Sequence, residues 1–193
     1  MKKFNPILML ILSLLVMVGC SSTDKGDTGK SHTDNSIAKE EKQQKSTLID
    51  VEELLPKEEV EKVLGIEIKN NKHSDTENLG MSGMNYYNKD KEKCVWIHCF
   101  QQPAVPKGDD FDVKKRYHEN YEISVKHNNA ETIENLGDEA YYNKMSHTVN
   151  VLFEDYYFTL KDSLSNAFSD EKKEMELKLA KIVVKNLKKK LGK

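Results

Sequence analysis

Cys20 is the residue with the clearest chemistry in this sequence, because it ends the run Leu15-Val16-Met17-Val18-Gly19-Cys20. A small residue before a cut and a cysteine after it form the lipobox, which a lipoprotein-type peptidase cleaves once the thiol carries diacylglycerol. Lys2 and Lys3 give a basic start, and the apolar run from Ile7 to Val18 is well short of the ~20 residues that span a bilayer. The pattern predicts lipidation of Cys20; the alternative is an ordinary signal peptide or an uncleaved anchor, with Met17 as the one departure from the commonest motif.

This interpretation divides the chain into three parts. Residues 1–19 are predicted to be a lipoprotein signal peptide. Residues 20–47 are almost entirely polar, with Ile37 and Ala38 as interruptions from Ser21 to Thr47, and such a segment buries too little surface to fold. We expect a disordered tether there, and a single globular extracytoplasmic domain over residues 48–193.

Cys94 and Cys99 lie in a segment that has the pattern of a strand. Five residues along an extended strand separate two side chains by ~16 Å and place them on opposite faces. A disulfide needs Cα atoms within roughly 7 Å. We therefore expect no disulfide between them and two buried free thiols; an intermolecular or redox role is the alternative.

The histidines do not indicate a metal site or a cofactor. His98 and Cys99 are adjacent, so on a strand they point to opposite faces. The other five histidines fall in separate polar segments: His32, His73, His118, His127 and His147. No His-x-x-x-His, Cys-x-x-Cys or Gly-x-Ser-x-Gly spacing is present, and Met81-Ser82-Gly83 is interpreted as a turn. We expect no catalytic residues and no enzyme activity.

Adjacent carboxylates and tyrosines are the remaining candidates. Asp138 and Glu139 follow Gly137, but neighbouring side chains diverge, so we expect a turn in which Gly137 has positive φ and Asp138 accepts nearby amides. The tyrosines are more suggestive of binding, since doubled pairs on strands place one ring on each face and an outward ring could line a groove. Half-buried tyrosines in a sheet are the alternative. The tyrosines are Tyr86, Tyr87, Tyr117, Tyr121, Tyr141, Tyr142, Tyr156 and Tyr157.

The elements that position these residues predict a mixed α/β (α+β) fold, a mainly antiparallel sheet covered by helices. A short helix is expected over 56–64, a strand over 66–68 and a polar loop over 69–83. A hairpin around 88–91 joins strands 84–87 and 94–101, and the second is apolar on both faces, which is typical of a central strand. A middle helix is expected near 111–120.

The second half is predicted to be mostly strand. Tyr121, Ile123 and Val125 alternate as a strand would, and strands 147–153 and 156–161 pair around Glu154 and Asp155. A long carboxyl-terminal helix begins after Ser169 as its cap. Its apolar stripe packs on the sheet, or alternatively lies on a membrane surface; the stripe is Met175, Leu179, Ile182, Val183 and Leu187.

The order of these elements resembles a family of cell-envelope lipoproteins of unknown function, related to the extracellular sensor-type domain of a membrane serine/threonine kinase. The matching residues are Leu54-Leu55, Glu59-Val60, Val63-Leu64-Gly65, Cys94-Val95-Trp96 and Leu136-Gly137-Asp138-Glu139-Ala140-Tyr141. Family members often have a cysteine before the Leu-Leu pair, whereas this chain has Glu52 and Glu53, which excludes the corresponding disulfide to Cys94. The family implies no catalytic residues.

Charge and composition limit the partners. The formal net charge is −2, from 30 basic and 32 acidic residues, and the lysines between 185 and 193 form only a short basic stretch, which argues against nucleic-acid binding. We expect a lipid-anchored, non-enzymatic binding or sensor-like module on the extracytoplasmic face of the membrane. Its partner would be an envelope protein, a glycan or a small ligand. The alternatives are a carrier of lipid or another apolar ligand, and an envelope hydrolase.

The lipobox gives the first prediction. Cys20→Ala removes the acylated thiol, so the variant should lose lipid labelling and keep its signal peptide. Mass spectrometry of the amino terminus from membranes checks this. An unmodified terminus at a residue other than Cys20 in the native protein would contradict the assignment.

Overall fold

A computed structural model describes residues 48–164 and 169–193. Cys20, the predicted signal peptide and the predicted tether up to residue 47 lie outside the described residues. The strands are β1 Ile68–His73, β2 Met81–Asn88, β3 Lys93–Gln101, β4 Ala130–Thr132, β5 Glu139–Asn143, β6 Thr148–Phe153 and β7 Tyr156–Asp162. The helices are α1 Val51–Leu54, α2 Lys57–Leu64, α3 Val113–Lys126 and α4 Asp170–Lys190, with 3-10 turns at Glu77–Leu79 and Gln102–Ala104.

The seven strands form one antiparallel sheet in the order β1-β2-β3-β7-β6-β5-β4. The predicted fold class is thereby confirmed, including the short amino-terminal helix, the middle helix and the long carboxyl-terminal helix. The central position predicted for the strand at 94–101 is also confirmed, since β3 lies between β2 and β7. None of the helices within 48–164 and 169–193 is long and apolar enough to cross a bilayer.

Helices cover both faces of the sheet. On one face α1, α2 and α4 enclose the larger core, which includes Met84, Ile97, Phe158, Leu160 and Leu179. On the other face α3 packs against the β5–β6–β7 half and encloses a smaller core. This second core contains Val113, Tyr117, Tyr141, Leu152 and Tyr157.

Both cysteines of β3 are buried and free. β3 runs from Lys93 to Gln101, but the prediction that the two cysteines lie on opposite faces is wrong, because both pack in the larger core. Tyr86 pairs with Val95 and Tyr87 with Lys93, so the pairing shifts register at Cys94 and its side chain joins that of Cys99 on one face. Burial raises the pKa of the Cys99 thiol to about 12 and also raises the pKa of Cys94. Thiolates are therefore disfavoured at both positions.

The prediction of a loop over 69–83 is wrong, since β1 occupies 68–73 and β2 begins at Met81. The strand predicted at 66–68 overlaps β1 only at Ile68. Because β1 is an edge strand, polar side chains are compatible with it and the apolar alternation is missing. The turn assigned to Met81-Ser82-Gly83 is likewise strand; a Cβ on Gly83 would lie 2.5 Å from Ser74 Oγ, so glycine permits this close approach.

The prediction of a strand from Tyr121, Ile123 and Val125 is also wrong, because these residues belong to the second half of α3. Asp112 caps the helix by accepting the amide of Lys115 at 2.9 Å. In the helix, Ile123 and Val125 point to solvent, with 58% and 48% of their surface exposed. The alternation of these apolar residues therefore does not reflect burial against the core.

α4 begins where predicted, since the Ser169 hydroxyl accepts the amide of Lys172 at 3.1 Å. Its buried stripe is displaced from the predicted one: Met175 and Ile182 are only partly buried. The buried positions are Lys172, Glu176, Leu179, Ala180, Val183, Val184 and Leu187. The helix packs against α1, α2, β6 and β7, so its apolar face is used inside the domain.

This stripe predicts a graded response to charge. Val183→Asp buries an unpaired carboxylate and should lower the free energy of unfolding by ~3–5 kcal/mol. Ile182→Asp should cost less, and Lys181→Asp, at an exposed position, no more than about 1 kcal/mol. Urea unfolding of the three variants measures the order; equal effects would mean that the helix is solvated on all sides.

Glu176 is an acid on the buried side of α4 with no exposed surface. Its Oε1 accepts the amide of Asp162 at 2.9 Å, and its Oε2 is buried without a partner among the described residues. Burial raises its pKa to about 7, against the opposing effects of the Asp162 amide and the Lys172 charge. Glu176 is thus easier to protonate in the folded chain than in the unfolded chain.

A pH dependence of stability follows. Since the folded pKa is above the unfolded value of 4.5, the native state holds the proton more tightly, and this stabilisation is complete below pH 4.5 and lost as the pH rises through about 7. The loss amounts to about 3 kcal/mol at ~1.36 kcal/mol per unit.

Glu176→Gln should remove this dependence while keeping an acceptor for the Asp162 amide. Urea unfolding of both proteins at several pH values measures it, because the difference between them cancels the other titrating groups. A difference that does not change between pH 4.5 and 8 would contradict the assignment.

Candidate functional site

The clearest candidate site is a half-open groove between α3 and the β4–β5 connection, with a volume of about 390 Å³. This lies at the lower end of the range of ~300–1,000 Å³ that ligand pockets occupy. We call it the tyrosine groove. It is lined by Tyr117, Tyr121, Thr132, Ile133, Glu134, Asn135, Leu136, Asp138, Glu139 and Ala140.

Two tyrosines form the helical wall of the tyrosine groove. Tyr117 and Tyr121 are four residues apart on α3, so they lie on the same face, and their rings are stacked with 6.4 Å between centroids and 5° between planes. Tyr141 supports them from the sheet, with centroids 5.7 Å from Tyr117 and 5.2 Å from Tyr121. Tyr121 is half-buried, so part of its ring remains available to a ligand.

The opposite wall is the turn from residue 133 to residue 138. Asn135 and Gly137 both have positive φ, 60° and 69°. A Cβ on Gly137 would lie 2.5 Å from Leu152 O, so only glycine fits against β6. The amide of Asp138 donates to the same carbonyl at 2.9 Å, and Asp138 Oδ2 accepts the amide of Glu154 at 2.6 Å. The turn is therefore fixed to the β6–β7 hairpin.

The prediction for Asp138 and Glu139 is confirmed in part, because the turn forms but Asp138 does not bind an amide of its own turn. Gly137 has positive φ, Asp138 binds an amide, and the two carboxylates diverge. Glu139 Oε1 lies 3.1 Å from His118 Nε2 at the rim of the tyrosine groove, with both side chains about half exposed. The amide that Asp138 binds belongs to Glu154, sixteen residues away in sequence, and not to a neighbour in its own turn.

The tyrosine groove is acidic as well as aromatic. Glu134, Asp138 and Glu139 are among its lining residues, and none of the lining residues is lysine or arginine. Burial, followed by the charge of Glu139, raises the pKa of Tyr117, so its hydroxyl stays protonated and can donate. Aromatic faces and carboxylates together attract a cationic group.

The doubled tyrosines of the sheet do not line this groove, although each pair places one ring on each face. Tyr142 and Tyr156 lie in the larger core, whereas Tyr141 and Tyr157 lie under α3. Tyr86 is buried and donates to the carbonyl of Leu55. Sequence reasoning missed the groove because it assigned Tyr121 to a strand; the four-residue spacing from Tyr117 was the signal that could have found it.

Two further groups of polar side chains lie outside the tyrosine groove. His98 points away from Cys99, as expected, and lies beside Trp96 and 3.3 Å from Ser74 Oγ; burial lowers its pKa. Asp50, Glu52 and His73 have side-chain atoms close enough to hold a metal ion. The sequence prediction of no metal site considered linear spacing alone, and it stays a prediction.

Comparisons with known proteins found no matching family model, no matching curated protein and no matching solved structure.

Proposed function

We propose that this chain is a lipoprotein of the bacterial cell envelope, attached through Cys20 and carrying a non-enzymatic binding or sensor-like domain on the extracytoplasmic face. The observation that supports the lipid anchor is the lipobox at residues 15–20, which follows a basic amino terminus and an apolar run. Two acyl chains on one cysteine hold a protein stably at a membrane, whereas one holds it only reversibly.

The tyrosine groove supports binding as the role of the domain. Its two walls are built differently: on α3 the ring of Tyr121 is partly exposed above the buried ring of Tyr117, and the opposite wall contains the acidic residues Glu134 and Asp138. A small ligand with an ammonium group would contact the ring of Tyr121 and pair with Glu134 or Glu139. We propose a cationic small ligand, or the cationic part of a larger envelope molecule.

The alternatives receive less support from the same geometry. The tyrosine groove is open and carries carboxylates, which suits a polar ligand better than a lipid chain. A hydrolase needs converging titratable groups, and at the rim of the tyrosine groove Glu139 and His118 form such a pair. Asp138, however, already accepts the amide of Glu154, and Thr132 is the only lining hydroxyl apart from the tyrosines.

Calorimetric titration of the purified protein with choline chloride tests the ligand class, because choline has a quaternary ammonium and no other charge. We expect choline to bind and the neutral sugar N-acetylglucosamine not to bind. Tyr121→Leu, which keeps apolar bulk but removes the ring, and Glu134→Gln should each weaken choline binding by about fivefold, as expected for ~1 kcal/mol.

Tyr87→Leu and Glu58→Gln are matched controls, since Tyr87 is also half-buried and Glu58 is also exposed, and neither lines the tyrosine groove. Both should bind choline as the native chain does. Absence of choline binding, or equal loss in the control variants, would overturn the proposed ligand class. A preference for the neutral sugar would favour a glycan as the ligand.

A further inference from the structure

A histidine meets two carboxylates at the edge of the sheet, although it is distant from them in the sequence. Asp50 caps α1, Glu52 lies in the first turn of α1, and His73 is the last residue of β1. Each offers one ligand atom, and these atoms all lie within 4.8 Å of one another. A fourth side chain, Asp75, approaches the same histidine.

The distances around His73 suit a shared ion better than direct hydrogen bonds. Its Nδ1 lies 3.9 Å from Asp50 Oδ1 and 3.7 Å from Asp75 Oδ2. Both distances exceed the ~2.7–3.2 Å of an N–H···O hydrogen bond. Two ligands held tetrahedrally at ~2.0–2.2 Å from one zinc ion are roughly 3.4 Å apart. His73 and the two aspartates need to close by about half an ångström or less. The Glu52 atom lies within 4.8 Å of the other two ligand atoms, and its side chain is only partly buried, so it can move to complete the site.

Neighbouring groups already orient the carboxylates. Glu52 Oε1 accepts from Asn71 Nδ2 at 2.7 Å, and Asp50 Oδ1 accepts the amide of Glu52 at 2.8 Å. Asp75 turns its other oxygen away, since Oδ1 accepts from the Gly83 amide at 2.9 Å. Supporting hydrogen bonds of this kind fix metal ligands before the ion arrives.

The charges of these carboxylates are not offset by protein cations. Among the described residues, Asp50, Glu52 and Asp75 form no ion pair with lysine or arginine, and only the imidazole of His73 approaches Asp50 and Asp75. By contrast, the neighbouring Glu53 pairs with Lys190. A divalent cation would supply the missing positive charge.

We propose that Asp50, Glu52 and His73 bind one divalent transition-metal ion, with Asp75 or water in the fourth position. Zn²⁺ fits best, because one imidazole nitrogen and carboxylate oxygens are ligands it takes in tetrahedral sites, whereas Ca²⁺ and Mg²⁺ prefer oxygen alone. The ion would join the segment that enters the domain, at residues 50–52, to the edge strand β1. It would act as a structural clamp at that entry.

The test uses the full-length protein, purified in mild detergent and freed of metal with a chelator. Titration calorimetry with Zn²⁺ should show one site per chain, and Co²⁺ should give the d–d absorption of a tetrahedral complex without a thiolate charge-transfer band. Hydrogen exchange at residues 68–73 should slow when Zn²⁺ is added. Ca²⁺ should bind at least tenfold more weakly than Zn²⁺.

His73→Gln and Asp50→Asn should each weaken Zn²⁺ binding by at least tenfold, since even supporting residues of metal sites contribute 10–100-fold. Asparagine caps helices as well as aspartate, so Asp50→Asn should leave the metal-free fold intact. His118→Gln is the matched control, because His118 contacts a single carboxylate, Glu139. It should bind Zn²⁺ as the native chain does.

Three results would overturn the proposal. They are the absence of stoichiometric Zn²⁺ binding, unchanged Zn²⁺ affinity in His73→Gln, and a cobalt spectrum with a thiolate band, which would place the ion on cysteine. Unchanged thermal unfolding of the metal-free variants ensures that any loss of affinity reports the ligands and not the fold.

Discussion

The pairing of β3 with β7 is the contact on which the rest of the domain depends. It extends from Val95 opposite Asp162 to Gln101 opposite Tyr156 and joins two antiparallel halves that are distant in sequence. Both strands carry large side chains on both faces, so neither face can be left to solvent. α4 covers one face and α3 the other, which determines where the tyrosine groove can form.

Sequence predicted the parts of the fold whose local signals agree with their packing. The hairpins β2–β3 and β6–β7 and the start of α4 at Ser169 combine apolar patterning with turn or cap residues. β1 was missed because an edge strand gains its stability from backbone pairing, and its side chains carry no apolar signal. The second half of α3 was assigned to a strand because Tyr121, Ile123 and Val125 alternate with polar residues. The same alternation occurs by chance in a helix when two of the apolar residues face solvent.

The candidate sites were less accessible to prediction because tertiary contacts create them. Tyr117 and Tyr121 form a wall only once both belong to α3, and the acidic turn faces them only because β5 pairs beside β6. Asp50 and His73 approach each other because α1 packs against the sheet near the end of β1. The spacing rules that rule out a linear metal motif have no bearing on such an arrangement.

The position of α3, and with it the helical wall of the tyrosine groove, is fixed by hydrogen bonds as well as by apolar packing. Under α3, the Tyr157 hydroxyl donates to Asn150 at 2.9 Å and accepts from Asn120 at 3.2 Å, and Thr159 donates to Asn150 at 3.0 Å. The Asn120–Tyr157 bond joins α3 to the sheet, and because it is directional it adds to the side-chain packing in fixing the register of the helix. Because the opposite wall is tied to β6 through Gly137, both walls are held by the same strands.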